Sequence, residues 1–297
     1  MHEPNQRHAM LFGIAAVILW STVATAFKLS LQFMTPTQLL AWASVVSTSV
    51  LAVFVTVQRR WPEVMDTLRD RPLYYLSLGA LNPCFYYLVL FRAYDLLPAQ
   101  QAQALNYTWA LTLSLLAVPL LRQKLTARDV VALLIGYFGA VVIATRGDLF
   151  ALQFDSGAGV ALALGSTVLW ALYWIFNARA KSPAAVTLFL CFALGTPLVW
   201  LVMMFEGDVV MPGVHGLAGA LYVGVFEMGV TFMLWLAAMR RAEHVSRIGN
   251  LIFLSPFLSL FFISAFLGEA IVPATWIGLA LIVTGVVIQQ HGRSAPG

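Results

Sequence analysis

The chain has 297 residues, of which 61% are hydrophobic and only 10% are charged. A soluble domain carries about 25% charged residues, so a water-soluble core of this length is excluded and the surrounding solvent must be lipid. The net charge of +4 indicates contacts with anionic lipid head groups rather than nucleic-acid binding.

Ten apolar runs follow one another along the chain, each close to the length of about 20 residues that a membrane-spanning helix needs. They are too long and too continuous for the strands of a membrane barrel, so the sequence predicts an all-α integral membrane protein. The predicted spans 1 to 10 are Met10–Phe27, Thr37–Val57, Leu73–Phe91, Ala99–Leu121, Val130–Thr145, Gly157–Asn177, Ala184–Phe205, Val214–Met239, Arg247–Gly268 and Val272–Gln290.

The distribution of Lys and Arg between the loops predicts the orientation. If the N-terminus is cytoplasmic, only Lys28, Arg92 and Arg146 lie on the outer side, and the other basic residues lie on the cytoplasmic side. Both termini are therefore predicted to be cytoplasmic. For Lys28 and Arg92, snorkelling to the lipid head groups is the favoured interpretation, and attraction of a ligand carboxylate is the alternative.

The two halves of the chain form an internal repeat, in which residues 13–147 align with residues 157–292. Trp20 corresponds to Trp170, Gly139 to Gly285, and the end of span 4 to the end of span 9. Each half contains five spans, an odd number, so the halves must lie in opposite orientations. We therefore predict two inverted modules, 1–147 and 148–297, an arrangement that is typical of transporters with a midplane binding site.

A single acidic residue, Glu227, lies near the middle of the apolar stretch Val209–Met239, which holds no other charged residue. A charge at the membrane centre costs about 2.5–3.5 kcal/mol on insertion scales, so such residues usually face a polar path or a ligand. In the repeat, Glu227 corresponds to Asn82, which precedes Pro83. A broken helix beside a midplane polar side chain indicates a binding site; a hydrogen bond from Asn82 to a neighbouring helix is the alternative.

Aromatic and amide side chains share helix faces in several spans. Helical spacing places Tyr173, Trp174 and Asn177 on the face of Trp170, and Asn106 with Trp109. The same spacing places Phe85 and Tyr86 with Asn82. Such a surface suits a flat, amphipathic ligand, although plain helix packing explains each aromatic equally well.

Four short segments carry a family resemblance: Leu19-Trp20-Ser21, Asn106-Tyr107-Thr108-Trp109, Phe266-Leu267-Gly268-Glu269 and the segment from Gly278 to Gly285. Through them the chain resembles the EamA-type module of the drug/metabolite transporter superfamily. Leu169-Trp170-Ala171-Leu172-Tyr173 and the motif of span 4 are most similar to the bacterial aromatic amino acid exporters.

This resemblance implies ten helices around a central cavity between spans 1, 3, 4, 6, 8 and 9. It also implies that tryptophans 109 and 170 line the cavity, and that the protein exports amino acids across the bacterial inner membrane. The sequence departs from the family at Gln123, where the module usually has glutamate, and at Trp42, near a common arginine.

Intramembrane enzymes form the competing class. The histidines lie at or near span ends, with His215 at the very start of span 8, so none lies deep in a span to pair with a serine. The aspartates lie at span ends or in loops, and the zinc-protease motif His-Glu-x-x-His is absent. The sequence therefore predicts a non-enzymatic secondary transporter that uses no metal or cofactor and works as a monomer in the lipid bilayer.

The predicted substrate is a small amphipathic metabolite, above all an aromatic or other hydrophobic amino acid; the alternative is a multidrug or organic cation exporter coupled to protons through Glu227. Two roles are open for Glu227, namely pairing with a ligand ammonium group and binding a proton. The predicted substrate-binding residues are Trp20, Asn82, Tyr86, Asn106, Trp109, Trp170, Tyr173, Asn177 and Glu227.

Overall fold

The computed structural model describes residues 5–122, 124–150, 155–242, 248 and 250–293, and within them the chain is all-helical. The predicted all-α membrane fold is confirmed: eight helices are long and apolar enough to cross a membrane, and two shorter apolar helices complete the ten. Spans 1 to 10 are Gln6–Ser30, Pro36–Val57, Pro72–Leu96, Ala99–Leu121, Ala127–Ala144, Gly157–Asn177, Ala184–Phe205, Val214–Met239, Leu251–Leu267 and Pro273–Ile288. Arg247, the predicted start of span 9, and Gln123 lie outside the described residues.

Local sequence signals explain where several spans begin. Span 2 starts with a capping box, in which the Thr35 hydroxyl accepts from the Gln38 backbone N–H and the Gln38 side chain accepts from the Thr35 backbone N–H. Thr126 and Asp129 form the same arrangement at span 5. These contacts satisfy donors that a helix start otherwise leaves unpaired, which fixes the ends of the spans.

One helix was not predicted from the sequence. Trp61–Asp70 forms a short helix between spans 2 and 3, with Val64 buried against the bundle. The Trp61 ring packs against the Phe189 ring of span 7, with the ring centroids 5.3 Å apart. Its charged residues and its length of ten residues made the segment resemble a loop.

The packing of the spans follows a two-fold pattern. Span 1 packs against spans 8 and 9, and span 6 packs against spans 3 and 4. Span 2 packs against its own counterpart, span 7, and span 5 against span 10. Exchanging the first five spans with the second five therefore reproduces these main contacts. This is the arrangement of two inverted five-helix repeats.

Backbone conformation repeats at the ends of corresponding spans. Arg59 after span 2 and Gly207 after span 7 have left-handed φ values of 55° and 69°. Arg122 after span 4 and Gly268 after span 9 have values of 54° and 66°. A left-handed residue is a common way to end a helix, and its recurrence at equivalent positions supports the alignment of the halves.

Spans 5 and 10 cross at a pair of equivalent close contacts. A Cβ atom added to Gly139 would lie 2.5 Å from the carbonyl oxygen of Gly278, and one added to Gly285 would lie 2.6 Å from that of Ala132. Both contacts join backbone to backbone, because small residues let membrane helices approach closely. The crossing therefore holds the two modules together with little room for larger side chains.

Candidate functional site

Spans 3 and 8 both lose regular α-helical geometry at equivalent positions. In span 3, the turns widen from Ala80 to Phe85, and Asn82 has non-helical φ and ψ values of −145° and 116°. In span 8, the wide turns run from Val223 to Val230 around Glu227. Wide turns of this kind occur frequently at functional sites.

Hydroxyl groups compensate for the irregular backbone of span 8. The Ser47 hydroxyl of span 2 donates to the Met228 carbonyl oxygen at 2.8 Å, and the Thr231 hydroxyl donates to the Phe226 carbonyl oxygen. Backbone polar groups inside a membrane must find partners within the protein. The break is thus held by specific side chains of two spans.

A cavity of about 660 Å³ lies between spans 1, 3, 4, 6, 8 and 9, with Val286 of span 10 also in its wall. This volume falls in the usual range for small-molecule sites. Six of the nine residues predicted from the sequence line it: Trp20, Tyr86, Asn106, Trp109, Trp170 and Glu227.

Glu227 places a carboxylate in the wall of this cavity. Its Oε1 atom accepts a hydrogen bond from the Tyr87 hydroxyl at 3.0 Å, and Trp20 lies within reach of the same group. Its Oε2 atom is buried and has no hydrogen bond of good geometry from the described residues. An unpaired buried carboxylate oxygen loses its hydration without compensation, so a proton or a ligand cation that reached this atom would stabilise it.

Aromatic rings surround Trp170 on several sides. Its ring stacks on Tyr86 at a centroid distance of 4.5 Å and on Tyr173 at 5.5 Å, with an interplanar angle of 25° in each case. Trp174 meets it edge-on at 5.8 Å, and Phe232 of span 8 lies 6.4 Å away. These contacts fix the Trp170 ring, because offset-stacked and edge-to-face pairs are the favoured aromatic geometries.

The aromatic surface continues through Phe232 to Trp20 and Trp235. Trp20 contacts Phe232 edge-on at 5.6 Å and Trp235 at 5.5 Å, and these three residues line the cavity together with Glu227. The faces of such rings attract cations. The carboxylate therefore lies in a wall that suits a ligand with an aromatic body and a positive end.

The amide of Asn106 supplies polarity on span 4. Its Nδ2 atom donates to the Ser166 hydroxyl of span 6 at 3.0 Å, and its side chain also interacts with Tyr86. Gln103, one turn earlier, lines the cavity as well. Polar groups for a ligand are thus present in the cavity wall beside the aromatic rings.

Asn82, Tyr173 and Asn177 do not line the cavity in this conformation. Asn82 is 1% exposed and lies beside Tyr173, and neither of its polar side-chain atoms has a hydrogen bond of good geometry from the described residues. The helical spacing that grouped Asn82 with Tyr86 fails because the backbone of span 3 is not helical between them. A role for these three residues in substrate binding stays a prediction.

Several residues of the site were missed from the sequence. Tyr87 of span 3 donates to Glu227, and Phe232 and Trp235 line the cavity with it. The break in span 8 hides the spacing of Phe232 and Trp235 from Glu227. Arg179 also lines the cavity, although its position after span 6 suggested a loop. Among the described lining residues, Arg179 and Glu227 are the two that carry a formal charge.

The two ends of the cavity differ. Toward one end, the Arg179 end, its wall reaches Leu121 and Arg179, where spans 4 and 6 finish. At the opposite end, called the Lys28 end, the Lys28 side chain of span 1 reaches span 3. Its Nζ atom donates to the carbonyl oxygens of Tyr94 at 2.7 Å and Leu97 at 2.8 Å. The snorkelling interpretation of Lys28 is therefore wrong, because its ammonium group binds the end of span 3.

The sequence profile of the EamA-like transporter family matches residues 7–145 and 157–289. The chain belongs to this family. Its protein is accordingly a multi-pass membrane transporter, as the resemblance of its motifs implied.

Similar proteins include transporters from bacteria and archaea. The aromatic amino acid exporter YddG of Ancylobacter novellus is 27% identical over 289 residues, which cover 96% of this chain and 97% of that protein. The uncharacterized transporter YvbV of Bacillus subtilis is 25% identical, with 96% and 92% covered. A crystal structure of a protein 26% identical matches 98% of this chain and all of its own, with a TM-score of 0.67.

Proposed function

We propose that this EamA-family transporter exports aromatic or other hydrophobic amino acids across the bacterial inner membrane by alternating access. The observation that carries the proposal is the cavity between the two modules, whose wall combines stacked aromatic rings with one buried carboxylate. The similarity to the exporter of Ancylobacter novellus supports the same substrate class. In this proposal the protein acts as a monomer, has both termini in the cytoplasm and catalyses no reaction.

Each part of the ligand has a matching surface in the cavity. The aromatic side chain would lie against Trp170 and Trp109, and its ammonium group would approach the free Oε2 atom of Glu227. The ligand carboxylate would accept hydrogen bonds from Asn106 and from nearby tyrosine hydroxyl groups. Glu227 thus selects for a positive nitrogen, and the rings select for an apolar, flat body.

A second candidate is an exporter of organic cations coupled to protons through Glu227. The free Oε2 atom favours it, because a proton and a cationic ligand could compete for one carboxylate and so be exchanged. The two candidates differ in whether a ligand carboxylate is required. Amino acids and the corresponding amines therefore distinguish them.

Counterflow into proteoliposomes tests the proposal. Liposomes loaded with unlabelled tryptophan should accumulate labelled tryptophan or phenylalanine, and labelled tryptamine should accumulate less. Preference for tryptamine and other organic cations would support the second candidate, and transport of neither class would refute both.

Glu227→Gln measures the contribution of the carboxylate. Loss of a charge-assisted hydrogen bond weakens binding by about 1.5–3 kcal/mol, or about tenfold to 150-fold. Glu206→Gln is the matched control, because Glu206 is exposed after the end of span 7 and should leave transport unchanged. Equal, fully active transport by both variants would contradict the role of Glu227.

A further inference from the structure

At the Lys28 end, the ammonium group of Lys28 closes the cavity by binding carbonyl oxygens at the end of span 3. Lys28 lies in the last turn of span 1, and the Tyr94 and Leu97 carbonyl oxygens that it binds lie at the end of span 3. The last carbonyls of a helix have no partner in that helix and carry the negative end of its dipole. A lysine ammonium there ties span 1 to span 3.

A second set of hydrogen bonds completes the closure at the same end. The Glu269 carboxylate after span 9 accepts from the Ala99 backbone N–H at 2.9 Å, at the start of span 4. The Gln100 side chain donates to the Ala270 carbonyl oxygen at 3.1 Å and accepts from the Thr275 hydroxyl at 2.8 Å. Spans 4, 9 and 10 are therefore also joined at the Lys28 end.

The equivalent contacts at the Arg179 end are different. Arg179 follows span 6, as Lys28 ends span 1 in the other module. In this conformation its guanidinium donates to the Leu120 carbonyl oxygen of span 4 at 3.3 Å. At the Lys28 end, by contrast, spans 1 and 3 are joined by the Lys28 hydrogen bonds and by the Phe27 ring, whose centroid lies 4.6 Å from that of Phe91 and 5.3 Å from that of Tyr94.

The inverted repeat relates these two arrangements. In a transporter of this architecture, each module adopts in one state the conformation that the other adopts in the opposite state. The end of span 8, at Met239 and Ala242, corresponds to Tyr94 and Leu97 at the end of span 3. By the Trp20–Trp170 correspondence, Lys28 aligns with Ala178, so Arg179 is the basic residue beside the equivalent position in the second module.

We propose that Lys28 and Arg179 are alternating gate residues. Lys28 holds the Lys28 end closed in the conformation described here. When that end opens, Lys28 releases span 3, and Arg179 leaves the Leu120 carbonyl to bind the last carbonyls of span 8, which closes the Arg179 end. This gate rests on the alternating access of the proposed function but does not depend on the identity of the substrate.

Cysteine labelling without any ligand tests the gate. The reporter is Ala110→Cys, which lines the cavity, in a background of Cys84→Ala and Cys191→Ala. A membrane-impermeant thiol reagent is added to sealed vesicles of each orientation. The parent should react mainly from the Arg179 end and slowly from the Lys28 end.

Lys28→Met should raise labelling from the Lys28 end about tenfold, the change in equilibrium that one charge-assisted hydrogen bond produces. Lys28→Arg should keep the parental ratio, because it retains the donors. Adding Arg179→Met to Lys28→Met should abolish the gain, because the opposite state would lose its own lock. An unchanged ratio in Lys28→Met, or an undiminished gain in the double variant, would overturn the proposal.

The single variant Arg179→Met tests the gate even if the Lys28 variants do not fold. It should lower the rate of tryptophan counterflow and, in the Ala110→Cys reporter, shift labelling further toward the Arg179 end, because the state with that end closed would lose its lock. Normal counterflow would contradict the gate. Absence of transport in the parent, together with the labelling pattern above, would instead contradict only the proposed substrate.

Discussion

The crossing of spans 5 and 10 gives the sharpest prediction of stability. Gly139→Ala would place a methyl group 2.5 Å from the Gly278 carbonyl oxygen and 2.8 Å from the Leu281 Cβ atom. Neither neighbour is the flexible end of a side chain, so the helices must move apart. Overpacking of this kind costs about 1–3 kcal/mol, which exceeds the gain of about 1 kcal/mol from replacing a helical glycine by alanine.

Thermal unfolding in detergent measures this change. Cys84 and Cys191 are free and buried, so a thiol-reactive fluorophore reports their exposure as the protein unfolds. Each kcal/mol lost should lower Tm by about 2–4 °C. The two-fold pattern predicts that Gly285→Ala has an effect of the same sign, because its methyl group would lie 2.6 Å from the Ala132 carbonyl oxygen.

The matched control is Gly165→Ala in span 6, where an added Cβ atom meets nothing within 4 Å. This variant should keep or raise Tm, since helix propensity is the main term that changes. Equal responses of the Gly139 and Gly165 variants would refute the close crossing.

Substitutions at three further positions test the site and the break in span 8. Trp170→Ala should raise the KM for aromatic ligands about twofold to tenfold, because one stacking contact contributes about 0.5–1.5 kcal/mol. Trp170→Phe should retain most of the affinity, and equal KM values for the two variants would contradict stacking. Tyr87→Phe removes the hydroxyl that donates to Glu227. It should raise KM about threefold to tenfold with little change in kcat. An unchanged KM would show that substrate binding does not need Tyr87 to position the Glu227 carboxylate. Ser47→Ala leaves a carbonyl in the break of span 8 without its donor, so Tm should fall by the equivalent of about 1–3 kcal/mol, and an unaltered Tm would contradict this bond.

Much of the fold follows from the sequence because lipid imposes simple rules. The lengths of the apolar runs identify the spans. Because each half has five spans, an odd number, the two halves must have opposite orientations in the membrane. The short helix Trp61–Asp70 escaped these rules, since a helix outside the membrane core needs neither great length nor an apolar sequence.

The site was less accessible to sequence reasoning. Trp20, Trp109 and Trp170 stood out by residue type, and Glu227 by its charge. Asn82 stood out equally, yet the backbone break turns it away from the cavity, and the same type of break in span 8 conceals Phe232 and Trp235. Where turns widen, regular helical spacing no longer tells which side chains share a face.

The placement of a carboxylate in a water-accessible chamber is the central claim, and thiol labelling at its position tests it most directly. Glu227→Cys, in the background of Cys84→Ala and Cys191→Ala, should react with a charged, membrane-impermeant reagent, and bound tryptophan should slow the reaction. Phe85→Cys, from a residue that is 51% exposed on the outer surface of span 3 and absent from the cavity wall, should stay unreactive because lipid covers it. A cysteine at position 227 that resists the reagent from both sides of the membrane would contradict the account.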